Sequence, residues 1–321
     1  MTGIAHYKDV PEVARGFSVA LGNFDGAHAG HRAVIEGAAA AGAKLGIATF
    51  EPPPRAFFRP DDPPFRIYRP ARRNTRLAEL GAAAIFELPF NADMAAMTDE
   101  AFARDVLKDG IGASHVTVGF DFRFGRGRMG DAGRLASLGR ALGFGVTIIE
   151  KIEALGTKAS STAIREALIA GAPEKAAEIL GHEWGVDGGV EHGEKRGRTI
   201  GFPTANLHLG ELIHPRHGVY AVRARIAGET DWRPGVANFG RTPTTGIRDP
   251  LLETYVFDFE GDLYGQQLEI ALVHYLRPEL KFDVLDDMVA QMHRDVEDAR
   301  FHLAGSSGGM TGPTTPAKRP S

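Results

Sequence analysis

Two histidines three residues apart, His28 and His31, stand in the glycine-spaced run Gly22–His31 (GNFDGAHAGH). On a helical turn that spacing puts both imidazoles on one side. Glycines at 22, 26 and 30 let backbone approach a ligand where a strand turns into a helix. The N-terminal end of that helix, with its N–H groups and dipole, favours an anion. Imidazoles beside such a site can hydrogen-bond phosphate oxygens as charge builds during phosphoryl chemistry. The plainer alternative is a glycine-rich turn with two surface histidines. A second run, Ser160–Arg165 (SSTAIR), reads either as an N-cap or as a phosphate cradle of hydroxyls, amides and a guanidinium. Beside the histidine pair, the cradle is the better reading.

Further along, Gly193–Asn206 (GEKRGRTIGFPTAN) sets Gly193, Gly197 and Gly201 among Lys195, Arg196 and Arg198. Glycine-rich backbone with basic side chains suits a polyphosphate, and a basic hairpin turn fits the spacing equally well. No G-x-x-x-x-G-K-[ST] loop occurs. Thr204 and Asn206, two apart, fall on one side if extended and offer neutral oxygens. Mg²⁺ commonly takes one or two protein oxygens and completes its shell with phosphates and water. Glu253, opening the apolar run LLETYVFDF, is a candidate general base for a hydroxyl; a solvated strand-edge carboxylate is the alternative. Gly125, Gly127 and Gly130 also match G-x-G-x-x-G, with Glu150 following. Asp121–Phe124 separates the preceding strand from these glycines, however, and Arg126 and Arg128 crowd the turn.

The elements that must carry these residues alternate in the first half. Strands are expected at 17–21, 44–50, 84–88, 115–120 and 146–150, with helices near 29–41, 72–80, 99–108 and 132–142. That order argues for a parallel sheet covered by helices. Two more helices are expected at 162–170 and from Pro173 to about 181. Beyond Trp184, strand-length segments at 218–226, 252–259 and 268–275 suggest an antiparallel sheet or barrel, with one late helix over 286–303. The domain boundary is placed near 183, giving domains 1–183 and 184–303, and a Gly/Ser/Thr/Pro-rich tail from 304 to 321 is expected to be disordered.

Length and composition bound the class. A chain of 321 residues is long enough for two domains. Zero cysteines exclude disulfides, thiolate metal sites and thiol catalysis. A net charge of −4 makes no case for nucleic acid, and no apolar run is long enough for a membrane span. A cytoplasmic protein without a secretory leader is expected.

Taken together, the motifs resemble the bacterial bifunctional riboflavin kinase/FMN adenylyltransferase (FAD synthetase) family. The resemblance rests on GNFDGAHAGH, TFEPPP (Thr49–Pro54), VGFDFRFGRGRMGD, SSTAIREAL, GRTIGFPTAN, HGVYAV, GVANFGRTPT, LLETYVFDFEGDLYG and LRPELKF, in family order over nearly all of 15–303. It implies α/β plus β architecture: an N-terminal Rossmann-like nucleotidyltransferase domain and a C-terminal riboflavin-kinase barrel. It further implies that Glu253 takes the proton from the riboflavin 5′-hydroxyl, that Thr204 and Asn206 hold Mg²⁺, and that Gly193, Lys195 and Gly201 cradle ATP phosphates. Arg277 would belong to the flavin-side flap. In the N-terminal domain FMN would attack the α-phosphate of a second ATP. His28 and His31 would stabilise the transferring group, with Gly22, Phe24, Gly30, Ser161, Thr162 and Arg165 on the nucleotide phosphates and Asp121 near the flavin. Riboflavin, FMN and FAD are the implied small-molecule substrates and products. The chain departs from the family pattern at Pro53, where histidine is usual, and at Tyr68 and Asn74. Two other readings are a kinase whose N-terminal domain only binds flavin nucleotide, and a nicotinamide-dependent oxidoreductase resting on Gly125–Gly130.

Overall fold

The computed structural model describes residues 3–151, 153–154, 157–191, 202–240 and 250–305. The chain divides into two compact units, Met1–Pro63 with Tyr68–Ser161, and Pro64–Ile67 with Thr162–Ser321.

The first unit is a parallel sheet with helices on both faces. In chain order it runs β1 (Gly3–His6), β2 (Ser18–Leu21), α1 (Ala29–Ala39), β3 (Leu45–Glu51), α2 (Pro70–Glu79), β4 (Ala84–Pro89), β5 (His115–Gly119), α3 (Ala132–Leu142) and β6 (Gly145–Ile149). Between β4 and β5 a helix opens at Asp99–Ala101 and widens to π winding over Phe102–Ile111. The strand order is β1-β4-β3-β2-β5-β6, every pairing parallel. Strands such as SVAL and LGIATF are mostly apolar and buried along their length because both faces are covered. One face carries Val19, Leu21, Phe50, Phe86 and Val118 against Phe102 and Leu135. The other carries Ala20, Ile47 and Ile85 against Val34, Ile35 and Leu77. The order reverses at β2: β3, β4 and β1 lie to one side, β5 and β6 to the other. In open α/β sheets the crevice beyond the strand C-termini at such a reversal is where ligands bind. Gly22–His31 leaves the C-terminal end of β2 at that point.

The second unit contains α4 (Ser161–Ala170), α5 (Pro173–Leu180), β7 (Trp184–Gly189), β8 (Ala205–His208), β9 (Gly218–Ile226), β10 (Arg233–Gly240), β11 (Leu251–Val256), β12 (Gln267–Arg277) and α6 (Leu285–Gly305). Its six strands pair in the order β7-β12-β9-β10-β11-β8, all antiparallel. The two edges meet just past β7, where the Glu191 N–H donates to the Asn206 carbonyl at 3.0 Å, so the sheet curls into a nearly closed barrel. Register shifts between β9 and β12 at Val219/Tyr220 and Ala221/Val222 supply curvature. The wall alternates: Tyr220, Ala237, Phe239, Leu252 and Thr254 are at most 1% exposed, while Ala221, Val236 and Tyr255 turn outward to Val296, Ala299 and Leu303 of α6. Residues 64–67 belong here through the Trp184 Nε1–H, which donates to the Ile67 carbonyl at 2.9 Å.

The glycines at 125, 127 and 130 do not form a strand-to-helix turn. They close a short antiparallel hairpin in which Arg123–Phe124 pairs with Gly130–Asp131. A side chain at Gly125 would collide with the Asp99 backbone at 2.8 Å. The dinucleotide reading therefore fails on geometry, because a hairpin, rather than a tight glycine turn, stands between β5 and the start of α3.

Candidate active sites

In the first unit the loop after β2 is held in an unusual shape. Phe24 and Ala27 both have positive φ, 50° and 43°, and Gly26 has 97°. Non-glycine residues in that region cost energy and cluster at functional sites. The loop is tied down from several directions. Thr49 of β3 donates its hydroxyl to the Asn23 carbonyl at 3.1 Å. The Tyr68 N–H donates to Asp25 Oδ1 at 3.1 Å, and the Ser161 hydroxyl donates to the Asp25 carbonyl at 2.6 Å. The two segments expected to handle phosphate, GNFDGAHAGH and SSTAIR, are thereby joined through Asp25 and Ser161.

His28 is the N-cap of α1 and is 7% exposed. Its Nδ1 accepts the His31 N–H at 3.4 Å, which leaves the proton of a neutral ring on Nε2 as a donor. The two imidazoles stack at 3.8 Å between centroids, and Phe24 lies against His31 at 5.3 Å. Gly30 permits this: a Cβ there would sit 3.3 Å from His28 Nδ1. A Cβ at Gly22 would likewise press on the Phe24 ring at 3.3 Å. The result is a pair of aligned imidazoles at the positive end of a helix, an arrangement that suits a phosphate.

Asp121 follows β5 on the other side of the strand-order reversal and is exposed. Thr162 is also exposed. Arg165 lies in the second unit, where its Nε donates to the Phe65 carbonyl at 2.7 Å and its guanidinium covers the Phe65 ring. Pro53 is buried as the N-cap of a short helix, Pro54–Phe58. Asn74 is buried in a polar cluster with Arg73, Glu51 and Glu87: Arg73 reaches Glu51 at 3.0 Å and Glu87 at 3.2 Å, and Asn74 Nδ2 donates to Glu87 at 2.9 Å. Sequence reasoning missed Asp25 and Thr49, which anchor the loop. It also missed an aromatic group of Phe57, Phe58 and Phe90, with Phe58 64% exposed. Nothing in the local pattern marks an aromatic as solvent-facing.

In the second unit, Asn206 of β8 and Glu253 of β11 are direct cross-strand partners, and Asn238 of β10 faces Glu253 from the other side. Directly opposed residues share a face. The row Asn206–Glu253–Asn238 therefore lies on the outer wall of the barrel, the wall that α6 covers further along. Phe202 packs edge-on to Tyr255 and to His293 of α6 at 5.1 Å each. Asn206 is 6% exposed, and its Oδ1 is buried with no hydrogen-bond partner among the described residues. A buried acceptor left in that state suits a cation or a ligand donor. Thr204 lines a cavity of about 40 Å³ with Val190, Val256 and Tyr264. Asn238 Nδ2 donates to Glu279 at 3.4 Å. Arg277 makes a two-point ion pair with Asp295 of α6, at 2.7 and 2.6 Å, and Gln291 also donates to Asp295. Gly193, Lys195 and Gly201 lie outside the described residues.

The FAD synthetase family matches residues 10–163, and the riboflavin kinase family matches residues 180–303. Over 303 residues the chain is 39% identical to the bifunctional riboflavin kinase/FMN adenylyltransferase of Escherichia coli (strain K12), covering 93% of this chain and 96% of that one. The chain belongs to the bifunctional riboflavin kinase/FMN adenylyltransferase family. A Listeria monocytogenes member is 36% identical over 296 residues, covering 89% of this chain and 92% of its own. A crystal structure described as a macrolide-efflux protein from Streptococcus pneumoniae superposes with a TM-score of 0.81 at 30% identity, covering 93% of this chain and 98% of that one. Transport is a statement about that protein; no described helix here is long and apolar enough to cross a membrane. As a riboflavin kinase/FMN adenylyltransferase, the chain phosphorylates riboflavin to FMN with ATP and adenylylates FMN to FAD with a second ATP. The FAD synthetase domain is N-terminal and the flavokinase domain C-terminal.

Proposed function

We propose that the two reactions are carried by two separate residue sets, with adenylyl transfer in 1–183 and kinase chemistry in 184–303. In the kinase half, Glu253 accepts the riboflavin 5′-hydroxyl proton as the oxygen attacks the γ-phosphate of ATP. Gly193, Lys195 and Gly201 cradle the nucleotide phosphates, and Arg277 serves the flavin side. Thr204 and Asn206 hold Mg²⁺, which when bound neutralises phosphate charge. The observation that carries this assignment is the cross-strand pairing of Glu253 with Asn206, whose buried Oδ1 has no hydrogen-bond partner among the described residues. Two neutral oxygens are a usual protein share for a cation bound mainly by phosphates and water.

In the N-terminal half, His28 and His31 stabilise the transferring phosphoryl group on a surface shaped by Gly22, Phe24 and Gly30. Ser161, Thr162 and Arg165 serve the nucleotide phosphates. Asp121 serves the flavin or nucleotide edge, and exposed Phe57 and Phe58 offer faces on which a planar ring system can stack. Both sites work by positioning and charge stabilisation. The chain acts in the cytoplasm on small molecules, without nucleic acid or membrane as partner.

The test is a time course with purified protein, riboflavin, ATP and Mg²⁺, the flavins separated chromatographically. FMN should rise and then fall as FAD accumulates. FMN that never proceeds would place the fault in the N-terminal half, with Pro53 the first residue to replace by histidine. Omitting Mg²⁺ with a chelator should stop FMN formation; kinase activity that persisted would remove the metal from the scheme.

A further inference from the structure

One row of residues crosses five strands of the barrel. Arg277 of β12 pairs with Val219 of β9, Val219 with Asn238 of β10, Asn238 with Glu253 of β11, and Glu253 with Asn206 of β8. Directly opposed residues share a face, so the row stands on the outer wall. The Arg277 fork is taken by Asp295. Two residues further on, Glu279 lies beyond the end of β12, yet its carboxylate comes back onto the same wall.

Its resting place is Gly240. Residues 238 and 240 fall on one face of β10, and a Cβ at Gly240 would land on the Glu279 carboxylate. The missing side chain thus leaves the space that the carboxylate fills. From there Glu279 Oε1 accepts an N–H of Asn238 Nδ2 at 3.4 Å, and Oε2 lies 3.6 Å from Nδ1 of His217. HGVYAV supplies His217, GVANFGRTPT supplies Asn238 and Gly240, and LRPELKF supplies Glu279. Three runs far apart in the chain therefore meet at one carboxylate, beside the strand that carries Glu253.

In riboflavin phosphorylation the 5′-oxygen forms a bond to the γ-phosphorus, the bond from γ-phosphorus to the bridging oxygen breaks, and ADP departs with that electron pair. The hydroxyl proton goes to Glu253. An ionised carboxylate only accepts hydrogen bonds, whereas an asparagine amide has one donating and one accepting end. Glu279 therefore selects the end of Asn238 that turns toward it. That choice bears on Glu253, the direct cross-strand neighbour of Asn238. An amide left to swing would donate to Glu253 instead, in a charge-assisted bond, and occupy a lone pair needed for the proton. We propose that Glu279, seated on Gly240, is a positioning residue for riboflavin phosphorylation, holding the Asn238 N–H away from Glu253. This rests on the reading of Glu253 as the general base.

The test measures riboflavin phosphorylation by the full-length protein at saturating ATP and Mg²⁺. Glu279→Ala should lower kcat about tenfold, as expected for one charge-assisted bond. The KM for riboflavin should stay within about twofold, since the amide acts on the base and not on substrate binding. Glu279→Gln keeps an accepting oxygen at the same reach and should recover most of the rate. Gly240→Ala should repeat the loss by displacing the end of a flexible side chain, and should add nothing to Glu279→Ala. In an Asn238→Ala background, with the competing N–H gone, Glu279→Ala should cost nothing further. A parental kcat in Glu279→Ala or Gly240→Ala would overturn the proposal. So would a change confined to KM, or a loss undiminished in the Asn238→Ala background. A melting temperature that fell together with kcat, with Glu279→Gln no better, would assign Glu279 to packing and overturn it too. Should Glu253→Ala still phosphorylate riboflavin, the base reading falls and the inference with it. Inactive Glu253→Ala beside Glu279→Ala at parental kcat would sink the inference alone.

Discussion

Glu253 and Thr254 are chain neighbours that face opposite surroundings. Thr254 points into the barrel and is fully buried, while Glu253 stands on the outer wall between Asn206 and Asn238. A one-residue slip in β11 would exchange them, so the carboxylate proposed as the general base depends on register as much as on residue type. Asn206 carries a matching expectation. Replacing it by alanine removes the buried oxygen that has no hydrogen-bond partner among the described residues, which should not by itself destabilise the barrel. The change should lower riboflavin phosphorylation on the order of 100-fold, a loss of two to three kcal/mol of charge-assisted contact. FAD formation from supplied FMN should be unaltered. A kinase rate within about twofold of the unaltered protein, at saturating Mg²⁺, would show that the oxygen holds neither metal nor substrate.

At the scale of elements, α6 is held to the barrel by the pair Arg277–Asp295 as well as by Val296, Ala299 and Leu303. Asp295 is 4% exposed, so Arg277→Met would leave a buried carboxylate without its cation. Breaking one partner of such a pair costs about 3–5 kcal/mol, whereas removing both is often near neutral. Denaturant unfolding should therefore show a large loss for Arg277→Met and most of it regained in Arg277→Met/Asp295→Leu. A single variant as stable as the parent would mean that the apolar contacts alone seat the helix. In the first unit, His115 of β5 shares a hydrogen bond with Thr147 at 2.8 Å, and burial lowers its pKa below the ordinary 6.5. As pH falls through 6.5 the unfolded chain takes up a proton that the folded state refuses, so stability declines until the lower folded pKa is passed. Melting temperature should drop from pH 7.5 to pH 5, and His115→Gln should reduce that slope; an unchanged slope would assign the acid sensitivity to other groups.

The whole molecule runs two reactions on one chain, and their separation is testable without cutting it. His31→Ala should make FMN and stop, while Glu253→Ala should make FAD only when FMN is supplied. Mixed together, the two variants should convert riboflavin to FAD, because FMN is a diffusible intermediate between their intact halves. Failure of the mixture, with each variant active in its own half-reaction, would mean that FMN must pass within one molecule. Loss of both steps in either folded variant would show that the residue sets are not separate.

Much of this was legible along the chain, because local chemistry is written in adjacent residues. Continuous apolar runs such as SVAL and LGIATF marked strands covered on both faces, and the alternation of strands with amphipathic helices marked the parallel sheet. GNFDGAHAGH announced a glycine-rich strand-to-helix turn since glycine freedom, histidine spacing and a helix start are all short-range properties. The ordered series of motifs then pointed to the family. What tertiary structure alone decided were relations between distant residues. Thr49, Tyr68 and Ser161 converge on residues 23–25, two on backbone carbonyls and one on the Asp25 carboxylate, only because the packed fold brings them there. The glycines at 125–130 looked like a dinucleotide turn until pairing of Arg123–Phe124 with Gly130–Asp131 made them a hairpin. Arg277 took Asp295 as its partner from 18 residues away. Asn206 and Glu253, 47 positions apart, meet because β8 pairs with β11. Sequence carries the donors and acceptors, but which of them face each other is set by register and sheet order, and these are global properties of the packed chain.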